Sequence, residues 1–238
     1  MKPVVAAALA AMTLSCLTPA IAADGLRQSQ RLGRGVNIIG WDALWRDSAR
    51  GNFKDGHFKL IHEAGFSHVR INLHPLRDGK PDAQGELRQG FFTTLDWAID
   101  QALANKLLVV LDVTFHYYDP FAFTHQGTPW TGQRDKTGVV WQGTEGERQA
   151  IERDFDSAQA WAGQQNRPIY LGEFGAYEKG DMDSRVRWTA FVARQAEKRG
   201  WSWAYWQFAG DFVLFDMASQ KWVQPILEAL IPPNGTGQ

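Results

Sequence analysis

Apolar and polar positions follow one another along this chain in two rhythms, and the changes of rhythm mark its elements. Short runs rich in β-branched and aromatic residues read as strands: Leu32 to Ile39, ending near Asn37; Ser67 to Leu73, with Arg70 inside it; Leu107 to Tyr118; Arg167 to Gly175; and Trp201 to Phe208. Between them apolar residues recur at three- or four-residue intervals, as on one face of a helix. Phe58, Ile61 and Ala64 predict a helix from Phe53 to Ala64, stopped by Gly65. Phe92, Leu95, Ile99 and Leu103 predict a second, with Thr93 or Thr94 as its cap. Ile151, Phe155 and Ala158 predict a third from about Glu147 to Gln164. Trp188, Phe191, Val192 and Gln195 or Ala196 predict a fourth from Ser184 to Arg199, with Gly200 as its stop. A short helix from Trp222 to Leu230 closes the chain. Strand, helix and strand in close succession are the signature of a parallel βαβ unit, so the fold class is α/β.

Two segments depart from this rhythm. Leu107 to Tyr118 is long for a buried strand and is interrupted by Asp112. From Asp119 to Glu147 the chain is rich in Gly, Pro, Thr and Trp without a sustained period, and a loop of that length in a compact domain is usually functional. The strand from Arg167 holds the candidate chemistry, because its apolar run ends in a glycine-flanked carboxylate, Glu173. The C-terminal ends of parallel strands wrapped by helices are where barrel enzymes keep their reactive groups. The plainer alternative is a strand-end glutamate that meets water or pairs with an arginine.

Composition adds a compartment and a ligand class. Met1-Lys2, the apolar stretch from Val4 to Leu17 and Ala20-Ile21-Ala22 read as a signal peptide over 1–22, which makes the protein secreted or periplasmic. Cys16 after Thr13-Leu14-Ser15 is a poor lipid-attachment context, and the mature chain has no cysteine for a disulfide. Residues 24–231 form one domain and 232–238 a flexible tail. A net charge of -1 and a pI near 6.6 give no reason to expect nucleic acid or an anionic membrane as partner. The few histidines lack metal-ligand spacing, and no cofactor is implied. Eleven tryptophans are the excess that matters, since an indole in a cleft is a stacking platform for sugar rings.

Together these residues resemble glycoside hydrolase family 5, the cellulase-like retaining glycosidases built on a (β/α)8 barrel. The resemblance rests on Gly35-Val36-Asn37 in the first strand and Val69-Arg70-Ile71-Asn72 in the second. It continues through His116-Tyr117-Tyr118, in the manner of the family's sixth-strand His-x-Tyr, and Leu171-Gly172-Glu173-Phe174-Gly175 as the seventh strand, to Trp206 in the eighth. It implies Glu173 as nucleophile, forming a covalent glycosyl-enzyme. It places Arg70 against that carboxylate, and makes Asn37, His74, His116, Tyr118, Trp130 and Trp206 substrate contacts. The implied partner is a β-glucan oligo- or polysaccharide, cleaved at β-1,4-glucosidic bonds.

A retaining enzyme also needs an acid/base carboxyl about 5–5.5 Å from the nucleophile. The family carries it in an Asn-Glu-Pro-like motif, and no Asn-Glu dipeptide occurs in this chain. The long run from Leu107 to Tyr118 reads as the family's third strand joined directly to its sixth by an internal deletion. About five parallel strands then remain, a TIM-barrel-derived, shortened, incomplete barrel. Its sheet must close tightly, stay open, or cover its edges with a second copy, so a homodimer is one solution. Asp112, Asp119, Glu145 and Glu178 are the candidate substitute acids. A non-catalytic carbohydrate-binding remnant is the alternative function.

Overall fold

The computed structural model describes residues 25, 27–113 and 140–233. His116, Tyr118, Trp130 and Asp119 lie outside the described residues, as do the leader and the chain from 234 onward. Five parallel strands are described: β1 (Arg34–Ile38), β2 (His68–Leu73), β3 (Leu108–Val113), β4 (Tyr170–Phe174) and β5 (Ser202–Tyr205). They run in the order β3-β2-β1-β5-β4 and curl into a half-barrel with helices, as the strand count expected. Among the described residues β3 and β4 each have a strand neighbour on one side only.

The helices are α1 (Asp55–Glu63), α2 (Gln89–Ala104), α3 (Glu145–Gln165), α4 (Met182–Lys198) and α5 (Gln224–Leu230). A small antiparallel pair, β6 (Phe215–Asp216) and β7 (Lys221–Trp222), precedes α5, so Trp222 lies in a strand and the last helix starts at Gln224 instead of Trp222. Strand alternation divides the sheet into two faces. Val36 and Ile38, Val69 and Ile71, Trp203 and Tyr205 point into the helix layer and are fully buried. The same strands turn Asn37, His68, Arg70 and Asn72 to the concave face.

Several elements differ from the sequence pattern for identifiable reasons. α2 begins at Gln89, so neither Thr93 nor Thr94 caps it, and the Thr93 hydroxyl donates to the Gln89 carbonyl (3.2 Å) within the helix. Its buried stripe is Phe91, Ala98 and Ala102, with Leu95 and Ile99 flanking. Phe92 and Leu103 are exposed, because two alanines allow closer approach to the sheet than the larger side chains would. Trp45 belongs to the core. It packs on Phe91 at 5.2 Å between ring centroids and donates its indole N–H to Ile39 O.

α3 is held differently from α4. A reciprocal cap opens α3, in which the Thr144 hydroxyl accepts from Glu147 N and the Glu147 carboxylate accepts from Thr144 N. Those hydrogen bonds, first of all the one from the Thr144 backbone, lower the Glu147 pKa. Only Ala162 of α3 is fully buried, whereas α4 buries seven residues between β4, β5 and α5.

Candidate active site

The concave face of β2 carries three polar side chains in strict alternation, His68, Arg70 and Asn72. Arg70 is the centre of the group. Its Nη1 donates to Glu173 Oε1 (2.5 Å) and to Asn37 Oδ1 (2.7 Å), and its Nη2 to Asp112 Oδ2 (2.8 Å). Asn37 is itself fixed, donating from Nδ2 to Gly172 O (2.9 Å) and Tyr205 O (3.2 Å), so its acceptor oxygen is left facing Arg70. Asn72 donates to Asp112 Oδ2 (2.9 Å). Four strands therefore converge on one guanidinium, whose planar fork suits two carboxylates at once.

Glu173 reaches this group through an irregularity in β4. Leu171 pairs with Trp203 and Phe174 with Tyr205, so three steps on β4 match two on β5. The extra residue is a β-bulge, which re-aims the side chains beside it. Leu171 and Phe174 both keep to the helix side, while Gly172 and Glu173 both serve the concave side. The Glu173 side chain remains 49% exposed, compared with 13% for Arg70. An arginine-held carboxylate open to solvent at a strand end can approach a ligand; a wholly structural ion pair has no need of that exposure.

Beneath this layer His68 and Tyr170 fill the interior. The Leu32 carbonyl can only accept, so His68 Nδ1 donates to it (2.8 Å), and Nε2 of the neutral ring then accepts a hydrogen bond from the Tyr170 hydroxyl (2.9 Å). Burial lowers the His68 pKa to about 4, opposed by the Leu32 hydrogen bond, and burial likewise raises that of Tyr170. The ring packs on Gly35, where an added Cβ would lie 2.2 Å from its atoms. Gly35 thus leaves room for a histidine, a structural requirement within the sequence motif.

Trp206 follows β5 directly; its backbone N–H donates to Phe174 O (2.8 Å), and the Trp206–Gln207 peptide is cis. A Cβ on Gly175 would sit 2.0 Å from Trp206 O, so glycine is required for the end of β4 to lie against it. Just past the end of β2 His74, half-buried, has its ring 5.7 Å from that of Trp41. Burial and then the charge of Arg77 lower the His74 pKa.

The sequence matches the cellulase family, glycosyl hydrolase family 5, over residues 113–211. It is 32% identical over 127 residues to endoglucanase H of Acetivibrio thermocellus, covering 51% of this chain and 13% of that one. With endoglucanase B of Clostridium cellulovorans it shares 28% over 135 residues, covering 53% of this chain and 29% of that one. The chain therefore spans a minor part of these two curated relatives. Among solved structures, endoglucanase Cel5A from the hyperthermophilic Thermotoga maritima superposes with a TM-score of 0.73 at 28% identity, covering 87% of this chain and 99% of that one. The chain is similar to the family 5 cellulases, in sequence over part of its length and in fold over most of it.

In this chain the structure brings together Glu173, Arg70 and Asn37, and sets Trp206 beside them through the backbone. His74 stands at the end of β2, next to Trp41 instead of Glu173. Asp112 looked like an interruption left by a deletion, yet it has a place: it lies on the concave face of β3 and ends on Arg70 and Asn72. Of the other substitute acids, Glu145 accepts from Gln149 (2.7 Å) at the start of α3, and Glu178 pairs with Lys179 (3.4 Å). Neither makes a contact to the Arg70 group. Sequence reasoning missed the His68–Tyr170 pair; the alternation of β2 was the signal that could have found it. Among the described residues no group of three His, Cys, Asp or Glu is arranged to hold a metal ion.

Proposed function

We propose that this chain acts on β-1,4-linked glucan by a retaining route in which Glu173 is the nucleophile. The observation that carries the proposal is the Arg70–Glu173 contact at the solvent-facing end of β4, backed by Asn37. In the first step a Glu173 oxygen bonds to the anomeric carbon as the glycosidic C–O bond breaks, giving a covalent glycosyl ester and the released leaving group. Water then cleaves the ester and regenerates the carboxylate. Arg70 orients Glu173, and Trp206 offers a flat apolar face to the sugar. His74, and His116, Tyr118 and Trp130 from outside the described residues, complete the substrate contacts. Export through the N-terminal leader would place the protein where such polymers are met.

Hydrolysis of ordinary glycosides is weakened in this proposal. The chain has no Asn-Glu motif, and losing a general acid typically forfeits roughly 10²–10⁴ in rate. Asp112, bonded to Arg70 and Asn72, is held as an acceptor and is poorly disposed to donate a proton. That observation favours, as a second possibility, a carbohydrate-binding remnant without turnover. A 2-fluoro glucoside with a highly activated leaving group separates the two, because its departure needs little acid assistance. Peptide mass spectrometry should find the glycosyl adduct on Glu173 and none in Glu173→Gln. Equal labelling of both proteins would rule out the nucleophile, and tryptophan quenching by cello-oligosaccharides without any adduct would favour the binding remnant.

A further inference from the structure

Beside the Arg70 group, over the C-terminal ends of β1 and β2, lies a cavity of about 250 Å³ bordered by Trp41, Arg46, Arg50 and Arg77. Three aspartates also border it, and each already accepts at least one hydrogen bond. Asp42 accepts from the backbone of Leu44, Asn52 and Phe53, and Asp47 from Ala49. Buried Asp78 accepts from Arg77 Nε (2.9 Å) and Nη2 (2.5 Å). The donors are in the opposite condition. Arg46 meets only Asp78, at 3.5 Å, and its side chain is 60% exposed. Arg50 is exposed and has no side-chain hydrogen bond among the described residues. The Nη1 of Arg77 is buried without a partner.

The Arg77 guanidinium lies 3.9 Å from the Trp41 ring centroid, which fixes an indole that is otherwise 55% exposed. An aromatic edge with surplus guanidinium donors selects a ligand that is a sugar and rich in acceptors. Trp41 leads from the cavity to His74 at the end of β2, its ring 5.7 Å away, and Asp112 on the neighbouring strand is bonded to Arg70. We infer that this cavity is a subsite for a carboxylate-bearing sugar, a uronic acid unit within or branching from the glucan, read by Arg46 and Arg50. The inference rests on the glucan-cleft proposal and narrows its substrate to acid-substituted chains.

The test compares a neutral cello-oligosaccharide with one of equal length oxidised to the carboxylate at C6 of one unit. Both are titrated calorimetrically into the full chain carrying Glu173→Gln, which prevents turnover. At low salt the oxidised ligand should bind roughly tenfold tighter, as expected for charge-assisted hydrogen bonds at a partly exposed site. That ratio should approach one in Arg46→Gln/Arg50→Gln, and also in the parent protein at ~1 M salt, where the Debye length falls to about 3 Å. Equal affinities in the parent protein at low salt would overturn the inference and leave the cleft standing. A preference that persists in the double variant would overturn it too. Failure of both ligands to bind would remove the cleft proposal along with this one.

Discussion

The middle and the margins of the sheet are built to different standards. In β1, β2 and β5 the outward side chains are sealed by helices, and Val36, Val69, Ile71, Trp203 and Tyr205 have no exposed surface. At the margins β3 leaves Leu111 and Val113 nearly half exposed, and β4 fully buries only Phe174. The polar group spans this divide, with Arg70 and Asn37 from the well-packed strands, Asp112 and Glu173 from the loosely packed ones. A firm centre supplies the orienting cation, and a more yielding edge supplies the carboxylate.

The comparison breaks most severely if the centre is hollowed out. Trp203→Ala should cost about 3–5 kcal/mol in urea unfolding, from lost burial and the cavity left behind. A smaller loss from Trp203→Ala than from changes at β3 would reverse the ranking of the two regions.

Protonation tests the centre without a substitution. His68 is neutral when folded, with a pKa of about 4, and an unfolded histidine titrates near 6.5. Below pH 6.5 the unfolded chain takes up a proton that the folded one refuses. Stability from this group is therefore intact above pH 6.5, declines as pH falls toward 4, and levels off below. The loss by pH 4.5 should be about 2–3 kcal/mol, read from urea midpoints, and His68→Gln should flatten that part of the curve.

The margin is probed more gently. Thr144→Ala removes the hydroxyl cap of α3 and should cost about 1 kcal/mol, visible as faster amide exchange in its first turn. The smallest effect is expected for Leu111→Ser, within about 0.5 kcal/mol, if β3 meets solvent. A larger loss that grows with protein concentration would place a second copy against this edge and support the homodimer.

The centre was also the more legible region in the sequence. Strands whose two faces have opposite tasks announce themselves by alternation, as Val69-Arg70-Ile71-Asn72 does, and the five strands and their order in the chain followed from such runs. α2 was misjudged because which stripe faces inward is decided by how closely the helix can approach, and Ala98 and Ala102 carry little apolar signal. Glu173 and Arg70 were found, and Asp112 was named only as a candidate acid and not as a partner of Arg70, since nothing local ties residue 70 to residue 112 until the strands pair. The bulge was hidden for the same reason: an extra residue is defined only against the neighbouring strand.

The contact between Gly175 and the Trp206 carbonyl sets the spacing between an indole and a carboxylate from different strands. Because the gauge is main chain against main chain, it is indifferent to which ring stands at position 206. A phenylalanine or tyrosine there would inherit the same alignment with Glu173, whereas any side chain at position 175 would throw it out of register. Change of the ring at position 206 is thereby uncoupled from the placement of the Glu173 carboxylate, and the residue that permits this is the one with no side chain to be seen.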